Sequence, residues 1–328
     1  MELFWAVLLV IVSFAVLAKA ADWLVDGAAG ISVKLGVPKV VVGIVLVSLA
    51  TTIPEFTVSV TSALSGLPEI SLGNAIGSVI FDDGVPLALV GILATAPVLV
   101  SRKVVGTAAI ALVSLDIMAF VMMLDGTLSR TDGTILLIGF FTYIGYIVWD
   151  RLKHPPVAGA PGPDEELSEH IAGKTLPVLF GLFFLGVVLV LIASRLLVDN
   201  AVVIARALHI SEVVIGLTLV AAGTSIPEVA TAVSATRKGH GALSVGNILG
   251  ADILNISWIA GASAVANPLT VSMKVVYFMF PSMLAIVFTM LIGLLWKKSM
   301  TRGLGLVLMG LFAVYMAVMM VLFPPQIG

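Results

Sequence analysis

Thr51-Thr52-Ile53-Pro54-Glu55 and Thr224-Ser225-Ile226-Pro227-Glu228 are two copies of one phrase, set 173 residues apart in a chain of 328. At the same offset Leu24-Val25-Asp26 matches Leu197-Val198-Asp199, and Gly66 matches Gly239. Ser71, Gly73, Asn74 and Gly77 match Ser244, Gly246, Asn247 and Gly250, and Asp82 falls opposite Asn255. No insertion is needed between residues 24 and 82, so the chain reads as an internal duplication. Each copy carries a helix breaker: the proline removes a backbone donor and turns the residue before it away from helix. A carboxylate follows each proline directly.

The surroundings of these carboxylates are set by composition. Hydrophobic residues make up 60% of the chain and charged residues 11%, and the mean hydropathy is +1.18. A soluble domain carries about 25% charged residues, so this chain cannot cover itself with polar surface in water. The apolar runs are continuous over roughly 20 residues, which predicts membrane-spanning helices and not the alternating strands of a barrel. Breaking the hydropathy at charged and Pro/Gly-rich points gives about ten spans. Their centres fall near Leu9, Leu49, Ile80, Leu112, Phe140, Gly186, Gly223, Leu254, Ala285 and Ala313. The first, Leu3 to Ala18, lacks the basic start of a signal peptide and runs on into Lys19, Asp22 and Trp23, so it reads as a retained helix. Trp5, Trp23, Trp149 and Trp296 near span ends are interfacial anchors, and Met316, Met319 and Met320 are packing or lipid-facing residues.

Residues 1–149 then form a first five-helix repeat with its core at about 37–94, and residues 175–328 a second with its core at about 211–265. The polar stretch 150–174, rich in proline, glycine and acid, is a linker. The loops joining odd spans to the next even span carry Lys34, Lys39, Arg102, Lys103, Arg151, Lys153, Lys174, Arg237, Lys238, Lys297, Lys298 and Arg302. The even-to-odd loops carry only Arg130, Arg206 and Lys274. By the positive-inside rule the first set and the linker are cytoplasmic and both termini lie outside a multi-pass cell-membrane protein. An odd number of spans per half makes the second copy enter from the opposite side, the inverted duplication of transporters whose one site faces either side in turn.

A charged carboxylate at bilayer depth costs about 2.5 kcal/mol or more, so Glu55 and Glu228 need a common neutraliser: protons or a divalent cation. Freed carbonyls at a helix break are satisfied by a cation as well. Ca²⁺ suits carboxylate, hydroxyl and carbonyl oxygens in flexible geometry; Mg²⁺ sheds water reluctantly, and Zn²⁺ would recruit His or Cys. The chain has no cysteine, and His154, His170, His209 and His240 lie in or beside loops. Thr51, Thr52, Thr224 and Ser225 precede the glutamates by three or four residues and share their helical face if the turn persists. Asp82 and Asn255 each follow their glutamate by 27 residues, on the next span, with Ser78 one turn before Asp82. Asn74 and Asn247 read first as helix ties and second as ligands. The net charge of −2 and the lack of a basic tract exclude a nucleic-acid partner.

These residues resemble the cation/Ca²⁺ exchanger superfamily, in particular its prokaryotic sodium/calcium exchangers. Its two repeats each carry a G-T-S-x-P-E-type motif and a following G-N-x-x-G-S-N-x-x-[ND] motif. Here they read ATTIPE and GNAIGSVIFD, then AGTSIPE and GNILGADILN, and LDGTLSRTDGTILL (124–137) looks like the hairpin between spans 4 and 5. The resemblance implies ten helices with spans 2 and 7 broken, and Ca²⁺ held by Glu55, Glu228 and the carbonyls of Thr51 and Thr224. It implies Na⁺ sites drawn from Thr52, Ser78, Ser225 and nearby carbonyls, with Asp82 and Asn255 beside them. It further implies that the first and sixth helices slide across the rest.

The sequence departs from that pattern at Ala251, where serine is expected, at Asp252, Asp83 and Ala50, and at Asp116, an acid in mid-span 4 outside the repeats. A missing hydroxyl amid extra acids favours H⁺ over Na⁺ as the coupled ion. Asp116 reads as a proton-relay residue or as a buried, hydrogen-bonded structural acid. The expectation is a Ca²⁺/Na⁺ antiporter, with Ca²⁺/H⁺ exchange as its rival and a cation channel behind both. The partners expected are the lipid bilayer and inorganic cations alone. No organic cofactor and no enzymatic activity are implied, and the chain is expected to work as a monomer. A membrane hydrolase using the two carboxylates lacks any substrate-shaped pocket in the sequence.

Overall fold

The computed structural model describes residues 2–153, 173–208 and 221–323. Its first half contains α1 (Glu2–Leu35), α2 (Lys39–Val42), α3 (Ser48–Thr51), α4 (Ile53–Leu64), α5 (Pro68–Asp82), α6 (Ala88–Leu93), α7 (Arg102–Met122) and α8 (Arg130–Lys153). Its second half contains α9 (Leu176–Ala207), α10 (Ala221–Gly223), α11 (Ile226–Arg237), α12 (Gly241–Ile253), α13 (Ala260–Ala266), α14 (Met273–Lys297) and α15 (Arg302–Leu322). Among the described residues eight helices are long and apolar enough to cross a membrane, and the pair Lys39–Thr51 and Ile53–Leu64, bent by 48°, gives a ninth if it is one broken span. The tenth expected span, centred on Gly223, is described only from Ala221 onward. Its first half and most of the 150–174 linker lie outside the described residues.

One boundary differs from the hydropathy reading. α1 does not stop near Ala18 but continues for 34 residues to Leu35. At 1.5 Å per residue it is about 51 Å long, well over the hydrocarbon thickness, so it must tilt or project. Lys19, Asp22 and Asp26 broke the apolar run without breaking the helix; Asp22 and Asp26 turn onto Lys238 at the end of α11.

Three π-helical stretches interrupt the long spans: Gly43–Val47 between α2 and α3, Asp83–Leu87 between α5 and α6, and Leu254–Ile259 between α12 and α13. Such wide turns leave i→i−4 bonds unmade and cluster at functional sites. Here each lies beside a residue of the duplicated motifs. Short strands tie the halves together. β1 (Val98–Leu99) pairs antiparallel with β4 (Ser299–Met300), and β2 (Thr127–Leu128) with β3 (Leu269–Thr270). The 124–137 stretch thus forms a turn, capped by Asp125 to the Thr127 amide at 2.9 Å, whose strand partner comes from the other half.

The apolar core divides in two. The larger cluster joins α2, α5, α7, α12, α14 and their neighbours. The smaller is α1 against α9, bounded by Val42, Val47, Ala235 and Leu243. These two long helices meet closely because Gly27 lies on the Phe183 backbone and Gly186 on Leu24. A Cβ at Gly27 would come within 2.6 Å of the Phe183 nitrogen.

Candidate functional site

Pro54 and Pro227 each stand in the first turn of a helix, α4 and α11, where a missing N–H costs nothing. The residues before those turns, Thr52 and Ser225, leave helical geometry, with ψ of 7° and 11°. The chain therefore breaks directly ahead of Glu55 and Glu228 and aims both carboxylates inward. Glu55 is 1% exposed and Glu228 fully buried.

The two halves interlock around them. Ser225 Oγ donates to Glu55 Oε1 at 3.0 Å, while neither oxygen of Glu228 has a hydrogen-bond partner among the described residues. Thr51 Oγ1 lies 3.3 Å from Asn247 Oδ1, while Thr224 Oγ1 lies 3.3 Å from Asn74 Oδ1. Asn74 Nδ2 donates to the Glu55 carbonyl at 3.1 Å and to Ser59 Oγ at 2.9 Å. Asn247 Nδ2 donates to Thr231 Oγ1 at 3.3 Å. Both asparagines thus act as helix ties. Behind them, Ser59 Oγ donates to the Ser71 carbonyl and Ser244 Oγ to the Ala232 carbonyl, so positions related by the 173-residue offset make the same contact with donor and acceptor exchanged. Ser59 and Thr231 sit at neighbouring, not identical, repeat positions, so the 173-residue offset does not pair them.

The remaining named residues gather nearby. Ser78, Asp82 and Asn255 are buried, and the Asp82 carboxylate lies close enough to Glu55 and Glu228 for their charges to repel. Thr52 Oγ1 donates to the Ser48 carbonyl at 2.8 Å, which occupies its proton but leaves its lone pairs. Among the described residues, Glu55 Oε2, both oxygens of Glu228 and Asp82, the Ser78 hydroxyl and the Asn255 amide have no hydrogen-bond partner. Buried polar atoms at this density are costly unless something else satisfies them. No group of three His, Cys, Asp or Glu among the described residues is arranged to hold a metal ion by itself. A cation here would draw on two carboxylates at most, completed by hydroxyl and carbonyl oxygens, as hard-cation sites commonly are.

A second acidic group stands beside this one. Asp83, Asp116 and Asp252 are each fully buried. Asp83 and Asp252 come within hydrogen-bonding reach of each other, a contact that closes only when one carries a proton or a cation bridges them. As bare carboxylates, none of their oxygens has a donor among the described residues. Asp116 approaches them from α7 and is equally without a donor among the described residues.

A groove of about 550 Å³ reaches Asn74 and Ser78 along α5. Its walls are Gly73, Gly77, Phe81, Phe278 and Phe312, and it runs to the end of the bundle that carries Glu69 and Phe323. Toward the opposite end α12 packs closely on the α2–α3 segment: Gly246 abuts the Val40 carbonyl, and a Cβ at Gly250 would meet the Ile44 carbonyl and Ser48 Oγ at 2.5 Å; a smaller cavity of about 220 Å³ lies beside it, lined by Pro38, Ile44, Ser101 and Tyr143.

The chain matches the family described as sodium/calcium exchanger protein over residues 5–149 and 178–321. It is 34% identical to the inner membrane protein YrbG of Escherichia coli K12 over 97% of this chain and 98% of that protein. It is 27% identical to the sodium/calcium exchanger MaX1 of Methanosarcina acetivorans over 95% and 97% of the two chains. Its fold is similar to the crystallised sodium-calcium exchanger NCX_Mj, with a TM-score of 0.82 at 27% identity, covering 96% of this chain and 99% of that one. With a duplicated proline–glutamate break, an all-helical membrane fold and matches across both halves, the chain belongs to the sodium/calcium exchanger protein family.

Proposed function

We propose that this protein is a secondary antiporter that exchanges Ca²⁺ for Na⁺ by alternating access at a site between two inverted repeats. The observation that carries this reading is the contact between the two helix breaks, Ser225 Oγ onto Glu55 Oε1 at 3.0 Å, beside the buried and unpartnered carboxylate of Glu228. It puts two carboxylates in one buried place. The exchanged donor–acceptor contacts of Ser59 and Ser244, and the strands crossing between halves, support the inverted duplication.

In this reading Ca²⁺ sits between Glu55 and Glu228, with the Thr51 and Thr224 carbonyls freed by the breaks. Na⁺ ions take the hydroxyl-lined positions near Thr52, Ser78 and Ser225, with Asp82 and Asn255 beside them. Binding either cargo neutralises the carboxylates, and an empty site carries uncompensated charge that resists crossing. This couples the two ions: the protein reorients only when loaded. The groove at Asn74 and Ser78 is the approach from the face carrying Glu69. Arginine and lysine bias places that face outside and the Lys238 face in the cytoplasm of the cell membrane.

A second reading, Ca²⁺/H⁺ exchange, is favoured by one observation. Ala251 removes the hydroxyl opposite Ser78, while Asp83, Asp252 and Asp116 add buried carboxyl groups. Na⁺-driven ⁴⁵Ca²⁺ uptake into proteoliposomes at fixed pH decides between them. Uptake driven by a pH gradient, with Na⁺ absent and without effect, replaces the first reading with the second.

A further inference from the structure

The contact between α1 and the end of α11 is not part of the ion site, and the repeat-equivalent positions of the other half form no such pair among the described residues. Lys238 Nζ lies 2.7 Å from Asp26 Oδ1 and 3.7 Å from Asp22 Oδ1, and donates to the Asp22 carbonyl at 3.2 Å. Ser234 Oγ donates to Asp22 Oδ1 at 2.6 Å. The charged groups are partly shielded, with 27% of the Lys238 side chain and 17% of the Asp26 side chain exposed. This places the pair between the weak surface case and the costly buried one.

The duplication shows what is particular about it. The positions equivalent to Lys238 and Ser234 are Ser65 and Thr61 on the first half, and those equivalent to Asp22 and Asp26 are Arg195 and Asp199 on α9. Ser65 and Thr61 carry no charge. Arg195 and Asp199 pair with each other along one helix at 3.6 Å and are largely exposed. α1 lies along α11, whereas α9 makes no comparable run of contact with α4 among the described residues. Among the described residues this ion-paired interface lies at the end of the bundle where Gly246 and Gly250 pack closely on α2 and its π-helical continuation, and not at the end to which the groove runs from Asn74.

We propose that Lys238, Asp26, Asp22 and Ser234 form an ionic latch that holds the α1/α9 pair against α11 and keeps the site closed toward the Lys238 face. It rests on the alternating-access reading above, in which the α1/α9 pair slides. Because the equivalent positions of the other half, Ser65 and Thr61 opposite Arg195 and Asp199, cannot form the same latch, the two orientations differ in energy, and the unloaded protein favours opening at the Glu69 face. Strengthening or breaking the latch shifts that balance without touching any ion ligand.

The chain has no cysteine, so a single introduced thiol reports accessibility directly. Ala235, on α11 beside Ser234, is 1% exposed and packed in the α1/α9 cluster. In proteoliposomes with a polar maleimide on both faces, Ala235→Cys is expected to label slowly. Adding Lys238→Gln or Asp26→Asn is expected to raise the rate about five-fold or more, and the exchanged pair Asp26→Lys/Lys238→Asp to bring it back toward the parent. Unchanged labelling in both single variants overturns the latch, and so does an increase that the exchanged pair fails to reverse. Na⁺-dependent Ca²⁺ flux on the same preparations keeps the two ideas apart. A parent without flux sinks the transport reading, whereas flux with unchanged labelling sinks the latch alone.

Discussion

Ser225 of the second half donates a 3.0 Å hydrogen bond to the carboxylate of Glu55 in the first. Each residue stands at the break of its own helix, so the bond joins two interrupted spans across the centre of the protein. It also orders the glutamate: Oε1 is held while Oε2 is left without a partner among the described residues. Removing the hydroxyl with Ser225→Ala frees Glu55 to rotate and deletes an oxygen from the site. A hydrogen bond to a charged group contributes about 1.5–3 kcal/mol. Ca²⁺ affinity, measured by calorimetry on the purified protein, is expected to fall about ten-fold or more, with the fold intact by circular dichroism.

Ala251 is the position at which the two halves differ most plainly in chemistry, since its equivalent in the first half is Ser78. Both lie buried beside the acidic residues of the site. Restoring the hydroxyl with Ala251→Ser supplies a further neutral oxygen suited to Na⁺. The Na⁺ concentration giving half-maximal Ca²⁺ exchange is expected to drop, by about two- to five-fold, and a value that stays at the parental level leaves Ala251 without a part in Na⁺ binding.

Asp116 is fully buried, has no donor among the described residues, and faces the acids Asp83 and Asp252. Like charges in a low-dielectric place repel, and an unpaired buried acid is destabilising. Asp116→Asn keeps the shape and removes one ionisable group. Thermal melting in detergent is expected to rise by a few degrees, and Na⁺-driven uptake to persist. Loss of uptake in this variant, with stability kept, assigns Asp116 to the transported-ion pathway instead.

Gly246 and Gly250 allow α12 to touch the α2–α3 segment, where a Cβ has no room. Overpacking of this kind costs about 1–3 kcal/mol. Gly250→Ala is expected to lower the melting temperature by several degrees. Gly106→Ala, on α7 with nothing within 4 Å of its Cβ position, is expected to leave it unchanged or raise it slightly.

Much of this architecture is legible in the sequence. The repeated T-x-I-P-E phrase located both breaks, because proline acts through its own backbone and needs no tertiary context. The 27-residue spacing reads Asp82 and Asn255 at the depth of the glutamates, because one span and its return bring the chain back to the same level, and both are buried. Asp116 was suspected from depth alone. What escaped was set by packing. The length of α1 was misjudged because Asp22 and Asp26 look like a span end in a hydropathy trace, yet a lysine 212 residues after Asp26 accommodates them in mid-helix. Ser59 and Thr231 were missed because the two asparagines choose partners one repeat position apart. The asymmetry between the tight and the open ends depends on which backbone carbonyl faces which glycine, and no sequence period reports that.

The central claim is that Glu55 and Glu228 together hold the transported cation. The most direct measurement is Na⁺-dependent ⁴⁵Ca²⁺ uptake into proteoliposomes at fixed pH, comparing the parent with Glu55→Gln, Glu228→Gln and the double variant. The parent is expected to take up Ca²⁺ only with an opposing Na⁺ gradient, and each variant to lose at least about 100-fold in rate while remaining folded. Uptake that survives in the double variant contradicts the account.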